Sequence, residues 1–561
     1  MKKAVLVVSY GSVNKAAREK SIDILENEIR NRFSSQDFFR AYSSDRVIKK
    51  IKEKENLHID NPLQALEKIY QQHYTDVVVC SLHILAGEEY KRLQGEVESY
   101  KNKFNKIKLC KPLLSSMEGY LDIAAVIKES LPILQKNEAV VFVGHGTTEA
   151  AQTAYPALEY VLQDNGLNAF VGTLEYYPTI PQIIKKLEKH KIESVLLTPF
   201  LLVAGYHATN DIAGCGEDSW KTKLEKHGYK VRVNLSGLAE NPAIRKLFIN
   251  NMDDCANKIV VGTRGSNLAI TQTKWVIDQL QTSYPNANFE IKTIQTKGDL
   301  HLDKDLDKIG DKGLFVKEIE QQLLNKDIDM AVHSMKDMPT AATQGLALSS
   351  VFKREDVRDA LVLRGGGTGK IADLPLGAKI GTGSKRRKYQ LLKLRPDLNV
   401  VSIRGNVDTR IEKMQKEKLD GIILAAAGLK RIGREAEIGE YIDTTAMVPA
   451  VGQGALVAQT RETDTELAKM LDYIKDEKAN VQITAERAFL KEIGGSCHLP
   501  SGAYAKIEKD HIFLTGFYGD SEGKVLVKKT IVGKVSEPSV LGAKLAKEIL
   551  AEFTQDEQDE K

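Results

Sequence analysis

The sequence predicts a multidomain α/β protein, and three observations carry that reading. At 561 residues the chain exceeds what one core fills, since domains run to ~100–200 residues each, so roughly three to five are expected. A hydrophobic fraction of 42% beside 28% charged residues is the balance of a soluble globular chain. Strand-length runs rich in β-branched residues also alternate along the chain with longer stretches of helical period, as βα units do.

In chain order the runs are VLVVS, VVVCSLHI, VVFVGHG, FVGTLE, SVLLTPFLLV and VRVNLSG. Nearly unbroken apolar runs of this length suit parallel strands covered by helices on both faces. Two of them end alike, VVSYGS at Val7–Ser12 and FVGHGT at Phe142–Thr147, which hints at two similar α/β halves. At Lys258 the pattern restarts with KIVVGTRGSNLAITQT, directly after the short polar NNMDDCAN, so a boundary with little linker is expected there. Strands and helices then alternate to about Thr460, followed by the helix-like AERAFLKEI, the strand-like IFLTGFYG and VLVKKTIVG, the amphipathic LGAKLAKEILAEF and a tail, QDEQDEK, read as frayed. The expected divisions are 1–257, 258–475 and 476–561.

Several function classes are excluded at this level. With 80 basic against 76 acidic residues and a net charge of +4, the chain has no field that calls for nucleic acid. No apolar run approaches the ~20 residues of a bilayer span, so no membrane partner is expected. MKKAVLVV is only a strand's length and leads into the charged stretch Lys15–Lys20 without a small-residue cleavage site, which makes the cytoplasm the expected address. Five cysteines, Cys80, Cys110, Cys215, Cys255 and Cys497, lie scattered without CxxC spacing; neither a disulfide framework nor a zinc site is signalled, and a functional cysteine must act alone. RGGGTGKIA resembles a phosphate loop, but Arg364 falls where its first glycine belongs and Ile371 where Ser or Thr belongs, so it reads as a turn. Oligomeric state is not legible.

In open α/β sheets ligands gather beyond the carboxyl ends of strands. In the first half His145 follows VVFVG, Glu175 follows VGTL and His207 follows LLTPFLLVAGY; two imidazoles and a carboxylate can hold a divalent transition ion with coordination positions left open. Glu88 and Glu89, after SLHILAG, are placed to accept protons. His58, His83 and His190 are read as structural. The segments VVSYGS, FRAYSSDRVIKKI, NPLQALEKI, CSLHILAGEEY, KPLLSSMEGY, VFVGHGT, PFLLVAGYHATNDIAG and GLAENPAIR resemble the anaerobic sirohydrochlorin cobalt chelatase family over residues 1 to about 250. The resemblance implies a two-lobed class II chelatase fold that inserts cobalt(II), as substrate metal, into sirohydrochlorin without ATP. By position it makes His145, Glu175 and His207 the metal-handling residues, with His145 also catalytic, and sets Glu89 in the substrate cleft. Such ligands suit iron, nickel and zinc as well, so an iron chelatase stays open, as does a non-catalytic metal- or tetrapyrrole-binding module.

The second half is dense in cations after strand-like runs: Arg264 and Ser266 in GTRGSNLA, Lys297 and Asp299 in TKGD, Lys312 and Phe315 in GDKGLFVKE, Lys336 and Asp337 in AVHSMKDMP, Arg386 and Arg387 in GTGSKRRK, Arg404 and Arg410 in SIRGNVDTR, then VPAVGQGA around Gln453. Arginine's planar fork grips carboxylates bidentately, so this set suggests a substrate bearing several of them. Cys497 sits in GGSCHLP, read either as a tight turn around a buried thiol, the commoner fate of a lone cysteine, or as a glycine-rich, proline-bounded loop that exposes the sulfur. These segments, with REDVRDA and AAAGLKR, resemble hydroxymethylbilane synthase, also called porphobilinogen deaminase, from 258 to about 555.

That resemblance implies three domains: two α/β domains like periplasmic binding proteins, then a small α+β domain. It implies a dipyrromethane cofactor on Cys497 through a thioether, and polymerisation of four porphobilinogen with loss of ammonia. Asp337 would hold pyrrole N–H groups and stabilise the cation, while Arg264, Ser266, Lys312, Ser384, Arg386, Arg387, Arg404 and Arg410 would bind cofactor and substrate carboxylates. Gly383, Lys385 and Ser496 depart from the family's usual residues.

Overall fold

The computed structural model describes residues 2–148, 150–296, 316–494 and 499–559, with side chains to 555. Lys297, Asp299, Lys312, Phe315, Ser496 and Cys497 lie outside the described residues. The chain divides into two compact units, Met1–Lys258 and Ile259–Lys561.

Among the described residues the first unit holds eight strands: β1 (Lys3–Ser9), β2 (Asp37–Tyr42), β3 (Asp76–Ser81), β4 (Lys106–Leu109), β5 (Glu138–Gly144), β6 (Ala169–Thr173), β7 (Ser194–Pro199) and β8 (Lys230–Val233). They form two sheets, ordered β2-β1-β3-β4 and β6-β5-β7-β8, with every neighbouring pair parallel. The same order in both sheets repeats one architecture, and the alike endings of β1 and β5 mark equivalent central strands. Both central strands are buried on both faces, which is why they read as unbroken apolar runs. The edge strands β2 and β4, DFFRAY and KIKL, escape that signal because they carry charge, the usual protection of a sheet edge; Arg40 of β2 is tied to Asp23 at 2.6 Å and to Glu26. Since all strands of a sheet run one way, their following loops collect at one end.

The second unit continues with β9 (Lys258–Arg264), β10 (Asn288–Ile294), β11 (Met330–Ser334), β12 (Leu346–Leu348), β13 (Asp359–Leu363), β14 (Lys379–Gly381), β15 (Asn399–Val401), β16 (Gly421–Ala425), β17 (Ile438–Ile442), β18 (Leu456–Arg461), β19 (Ser501–Glu508), β20 (His511–Gly519) and β21 (Leu526–Lys534). Its sheets are β10-β9-β11-β18-β12, β15-β14-β16-β13-β17 and β19-β20-β21. The first two are mixed: β18 runs antiparallel to β11 and β12, and β13 antiparallel to β16 and β17. The chain leaves the first of these sheets after β12, builds the whole second sheet, and returns as β18. The third is an antiparallel meander packed on helices Glu477–Glu492 and Pro538–Asp559. That last helix runs on through residues read as a frayed tail, and Phe553 near its end meets Tyr518 edge to face at 5.0 Å. Among the described residues no helix is long and apolar enough to cross a membrane. RGGGTGKIA is a turn after β13, with Gly366 and Gly367 at φ +70 and +82.

Candidate functional site

In the first unit, His145 is the first residue beyond the buried β5, and His207 opens a π-helical turn, His207–Ile212. Their rings meet edge to face, 4.9 Å between centroids. The exposed His207 places Nδ1 2.6 Å from Oδ2 of Asp211. Sequence reading passed over Asp211, although HATND sets an imidazole and a carboxylate four residues apart, on one face of a helical turn.

Two loops are sewn together here. The Glu175 N–H donates to the His145 carbonyl at 3.0 Å, and Gly146, at φ +93, has no room for a side chain because a Cβ would stand 2.0 Å from the Glu175 carbonyl oxygen. The Glu175 carboxylate is exposed, and among the described residues no group of three or more His, Cys, Asp or Glu side chains is arranged to hold a metal. The structure thus unites His145 with His207 and does not bring the Glu175 side chain into a three-residue set with them.

Glu88 and Glu89 lie in the first turn of helix Glu88–Tyr100, where the N-terminal partial charge favours carboxylates; Glu89 pairs with Arg92 at 2.9 Å. The cap residue Gly87 faces Thr147, since a Cβ on it would lie 3.3 Å from the threonine Oγ1, so the start of this helix stands beside the His145 loop. Across the repeat, Gly205 faces Ser12. Tyr10, Tyr176, Tyr177 and Tyr206 are exposed on the same strand-end loops, offering flat aromatic surface. His83 accepts a structural place: Ser81 and Ser43 hold it at 2.8 and 3.3 Å, and burial pushes it down to about 4, keeping it neutral. His58 pairs with Asp60 at 3.1 Å and His190 packs on Phe170, apart from this cluster.

In the second unit, Asp337 ends the short turn Met335–Asp337 after β11, with its side chain exposed. Lys336 keeps accessible surface yet is hemmed in by protein, and burial pushes its ammonium down to about 8 against the pull of Asp337 and Asp359, with Arg386 and Arg387 adding repulsion. Arg404 follows β15 and Arg410 lies in helix Val407–Lys416. Burial, with Arg387 and Arg404 nearby, takes Arg410 down to about 10, opposed by Asp337. Among the groups that bear on Lys336 and Arg410, cations outnumber carboxylates. Arg264, at the end of β9, bears on the buried His333, which burial pushes down to about 4. Ser266 caps helix Asn267–Ser283, its Oγ accepting from the Ala269 N–H at 3.3 Å. Ser384 stands at the N-cap position of helix Lys385–Leu394 without a side-chain capping bond, and at Gly383 before it a Cβ would approach the Ile403 carbonyl to 3.0 Å.

Arg386 and Arg387 are buried rather than open, at 5% and 6% exposure. The fully buried Asp359, unnoticed in the sequence, holds both: Oδ2 accepts from Arg386 Nη1 at 2.7 Å, and Oδ1 accepts from Arg387 Nε and Gln453 Nε2, each at 2.9 Å. Burial alone would raise this carboxyl, but the two guanidiniums and Gln453 hold it well below the usual carboxylate range. A second hidden carboxylate, Glu486, takes Arg354 bidentately at 2.7 and 3.0 Å and the N–H groups of Gly452 and Ala505 at 2.9 and 3.0 Å. It ties helix Glu477–Glu492 to both strands of chain that pass between the two mixed sheets.

The family described as "Cobalt chelatase (CbiK)" matches residues 3–257, "Porphobilinogen deaminase, dipyromethane cofactor binding domain" matches 259–469, and "Porphobilinogen deaminase, C-terminal domain" matches 481–551. A porphobilinogen deaminase of Clostridioides difficile is 56% identical over 295 residues, covering 53% of this chain and 98% of that protein. One from Clostridium novyi is 50% identical over 299 residues, covering 53% and 99%. Among solved structures, SirB from Bacillus subtilis with Fe3+ aligns at 19% identity and a TM-score of 0.35, covering 46% of this chain and 97% of its own.

Proposed function

We propose the following chemistry from one premise: the chain belongs to the porphobilinogen deaminase family, with a cobalt chelatase (CbiK) domain ahead of its deaminase domains. It carries porphobilinogen deaminase activity, and we assign it a second activity, insertion of cobalt(II) into sirohydrochlorin. The divisions 1–257, 258–475 and 476–561 are taken as chelatase, paired deaminase domains and terminal deaminase domain.

The observation that supports the deaminase reading best is that Lys336 and Arg410 both bear on Asp337, in a neighbourhood that also holds Arg386, Arg387 and Arg404. A dipyrromethane bears several carboxylates, and such a donor set matches it in charge and in bidentate geometry. Arg264, Ser266, Ser384, Arg404 and Arg410 would hold those carboxylates, with Lys312 and the anchor Cys497 contributed by residues outside the described ones. When bound, the cofactor supplies a nucleophilic pyrrole carbon from which a chain is extended. Asp337 would accept pyrrole N–H groups and stabilise the positive charge left when ammonia departs. Arg386 and Arg387, anchored on Asp359, would act as the fixed positive wall behind it.

In the first unit, the joined rings of His145 and His207 carry the reading. They would receive the metal, Glu175 would reach them from the neighbouring loop, and Glu89 would take up protons released when the metal replaces pyrrole hydrogens. The exposed tyrosines would lie against the macrocycle.

Intact mass spectrometry of the denatured full chain, before and after porphobilinogen, tests the first assignment. The expected result is an added dipyrromethane mass, further growth with substrate, and neither in Cys497→Ala. A wild-type chain with no adduct would overturn it. For the second, the absorption of sirohydrochlorin should change on adding cobalt(II) with wild type and stay unchanged with His145→Ala; no change with wild type refutes it.

A further inference from the structure

In the first unit's histidine cluster, the ligand candidate His207 is held by a carboxylate to which no role has yet been given. Asp211 sits one helical turn beyond His207, and its Oδ2 lies 2.6 Å from His207 Nδ1. The turn between them is π-helical, His207–Ile212, a wider coil than the α-helix and one that recurs as a local insertion where proteins place functional side chains. Its effect here is to hold the carboxylate against Nδ1. The N–H of Asn210's side chain donates to the Tyr206 carbonyl at 2.9 Å, and the Thr209 hydroxyl donates to the Tyr206 carbonyl at 3.2 Å, so the turn is braced from within. Ile212 and Ala208 are fully buried. Their burial anchors the segment and leaves His207 and Asp211 on its accessible side.

We propose that Asp211 is a positioning residue for metal capture: by accepting the Nδ1 proton it fixes the tautomer and the ring angle of His207, so that the Nε2 lone pair is the one presented beside His145. The inference rests on the reading of His145 and His207 as metal-receiving residues. The physical grounds are independent of it. A carboxylate is acceptor-only, so a 2.6 Å contact requires a proton on Nδ1, and a neutral imidazole then carries its lone pair on Nε2. Loss of such an orienting partner typically weakens metal binding by about 10–100-fold. An exposed imidazole without this restraint rotates about χ2 and exchanges tautomers, and only a fraction of its population offers the right nitrogen.

Titration of full-length protein with cobalt(II) chloride, followed by calorimetry and by the visible absorption of the bound ion, tests the proposal in four chains. Wild type should bind, and His207→Ala should lose most of that affinity. Asp211→Ala should bind about 10–100-fold more weakly, with the melting temperature of the metal-free protein and its affinity for sirohydrochlorin unchanged. Asp211→Asn, whose amide oxygen still accepts from Nδ1, should recover most of the loss. In turnover the Asp211→Ala defect should fall on KM for the metal, with kcat at saturating metal within about twofold of wild type. Failure of wild type to bind cobalt(II) overturns the reading of the histidine pair itself. Binding by wild type with no weakening in Asp211→Ala, or with Asp211→Asn as weak as Asp211→Ala, overturns the role given to Asp211.

Discussion

Replacing Asp359 by asparagine isolates the buried charge beneath the deaminase site. Its Oδ1 serves Arg387 and Gln453 at 2.9 Å, whereas Oδ2 serves Arg386 Nη1 at 2.7 Å. Asparagine keeps an oxygen for the first pair and turns an NH2 toward Arg386, donor against donor. One hydrogen bond to a charged group, about 1.5–3 kcal/mol, is lost outright, and two guanidiniums at 5% and 6% exposure lose their counter-ion. Breaking a buried pair from one side costs about 3–5 kcal/mol, and that is the expected loss for the second unit. At roughly 2 °C per kcal/mol for a large domain, its thermal transition should fall by about 6–10 °C. Differential scanning calorimetry of the full chain at neutral pH reads this. The pH dependence gives a second check. Because the native carboxyl lies below its unfolded value, its contribution is complete above the ordinary carboxylate range and fades as pH falls through the lower native value. Wild type should therefore show an acid-side loss of stability that Asp359→Asn lacks. A destabilisation under about 1 kcal/mol would refute the idea that Asp359 holds the paired arginines in place.

Three further outcomes follow from the same structure. Lys336 is held down to about 8, so it is cationic below that pH and neutral above; KM for porphobilinogen should climb as pH rises through 8, and Lys336→Gln should show a KM about tenfold higher at pH 7 with that climb removed. Glu486→Gln should lower stability by about 3–5 kcal/mol in calorimetry, because Arg354 loses its counter-ion and the amide NH2 replaces one of the two oxygens that each accept from a guanidinium N–H and a backbone N–H; an unchanged transition would contradict this. Gly146→Ala forces a left-handed residue with a side chain against the Glu175 carbonyl, costing about 1–3 kcal/mol, and should weaken cobalt(II) binding by parting the two loops; retention of both stability and affinity would count against the packing described.

Much of the architecture was legible because parallel strands buried on both faces write themselves as apolar runs, as in β1, β5 and β7. What the runs could not reveal were strands whose pattern is diluted by charge, DFFRAY and KIKL at sheet edges, and β19, SGAYAKIE, where small residues face the helices. The antiparallel return of β18 was equally hidden, since direction leaves no mark in periodicity. In the site, His145 and His207 were readable from their place after strands. Asp359 and Glu486 were not: inside REDVRDA and AERAFLKE they look like surface charge, and only tertiary packing turns them into buried acceptors. Burial of Arg386 and Arg387 was missed for the same reason, because a run of four basic residues reads as solvated.

The route of the chain through its two mixed sheets sets an order of assembly. The strand that separates β11 from β12 is β18, and everything from β13 to β17 is synthesised before it arrives. During translation β11 and β12 therefore wait with open edges while the intervening sheet, whose strands are all contiguous in sequence, is able to close first. A nascent chain halted before Leu456 would expose those edges to strand addition by other chains, so aggregation of such truncations, set against solubility of a fragment covering β13 to β17, is the biosynthetic signature of this topology.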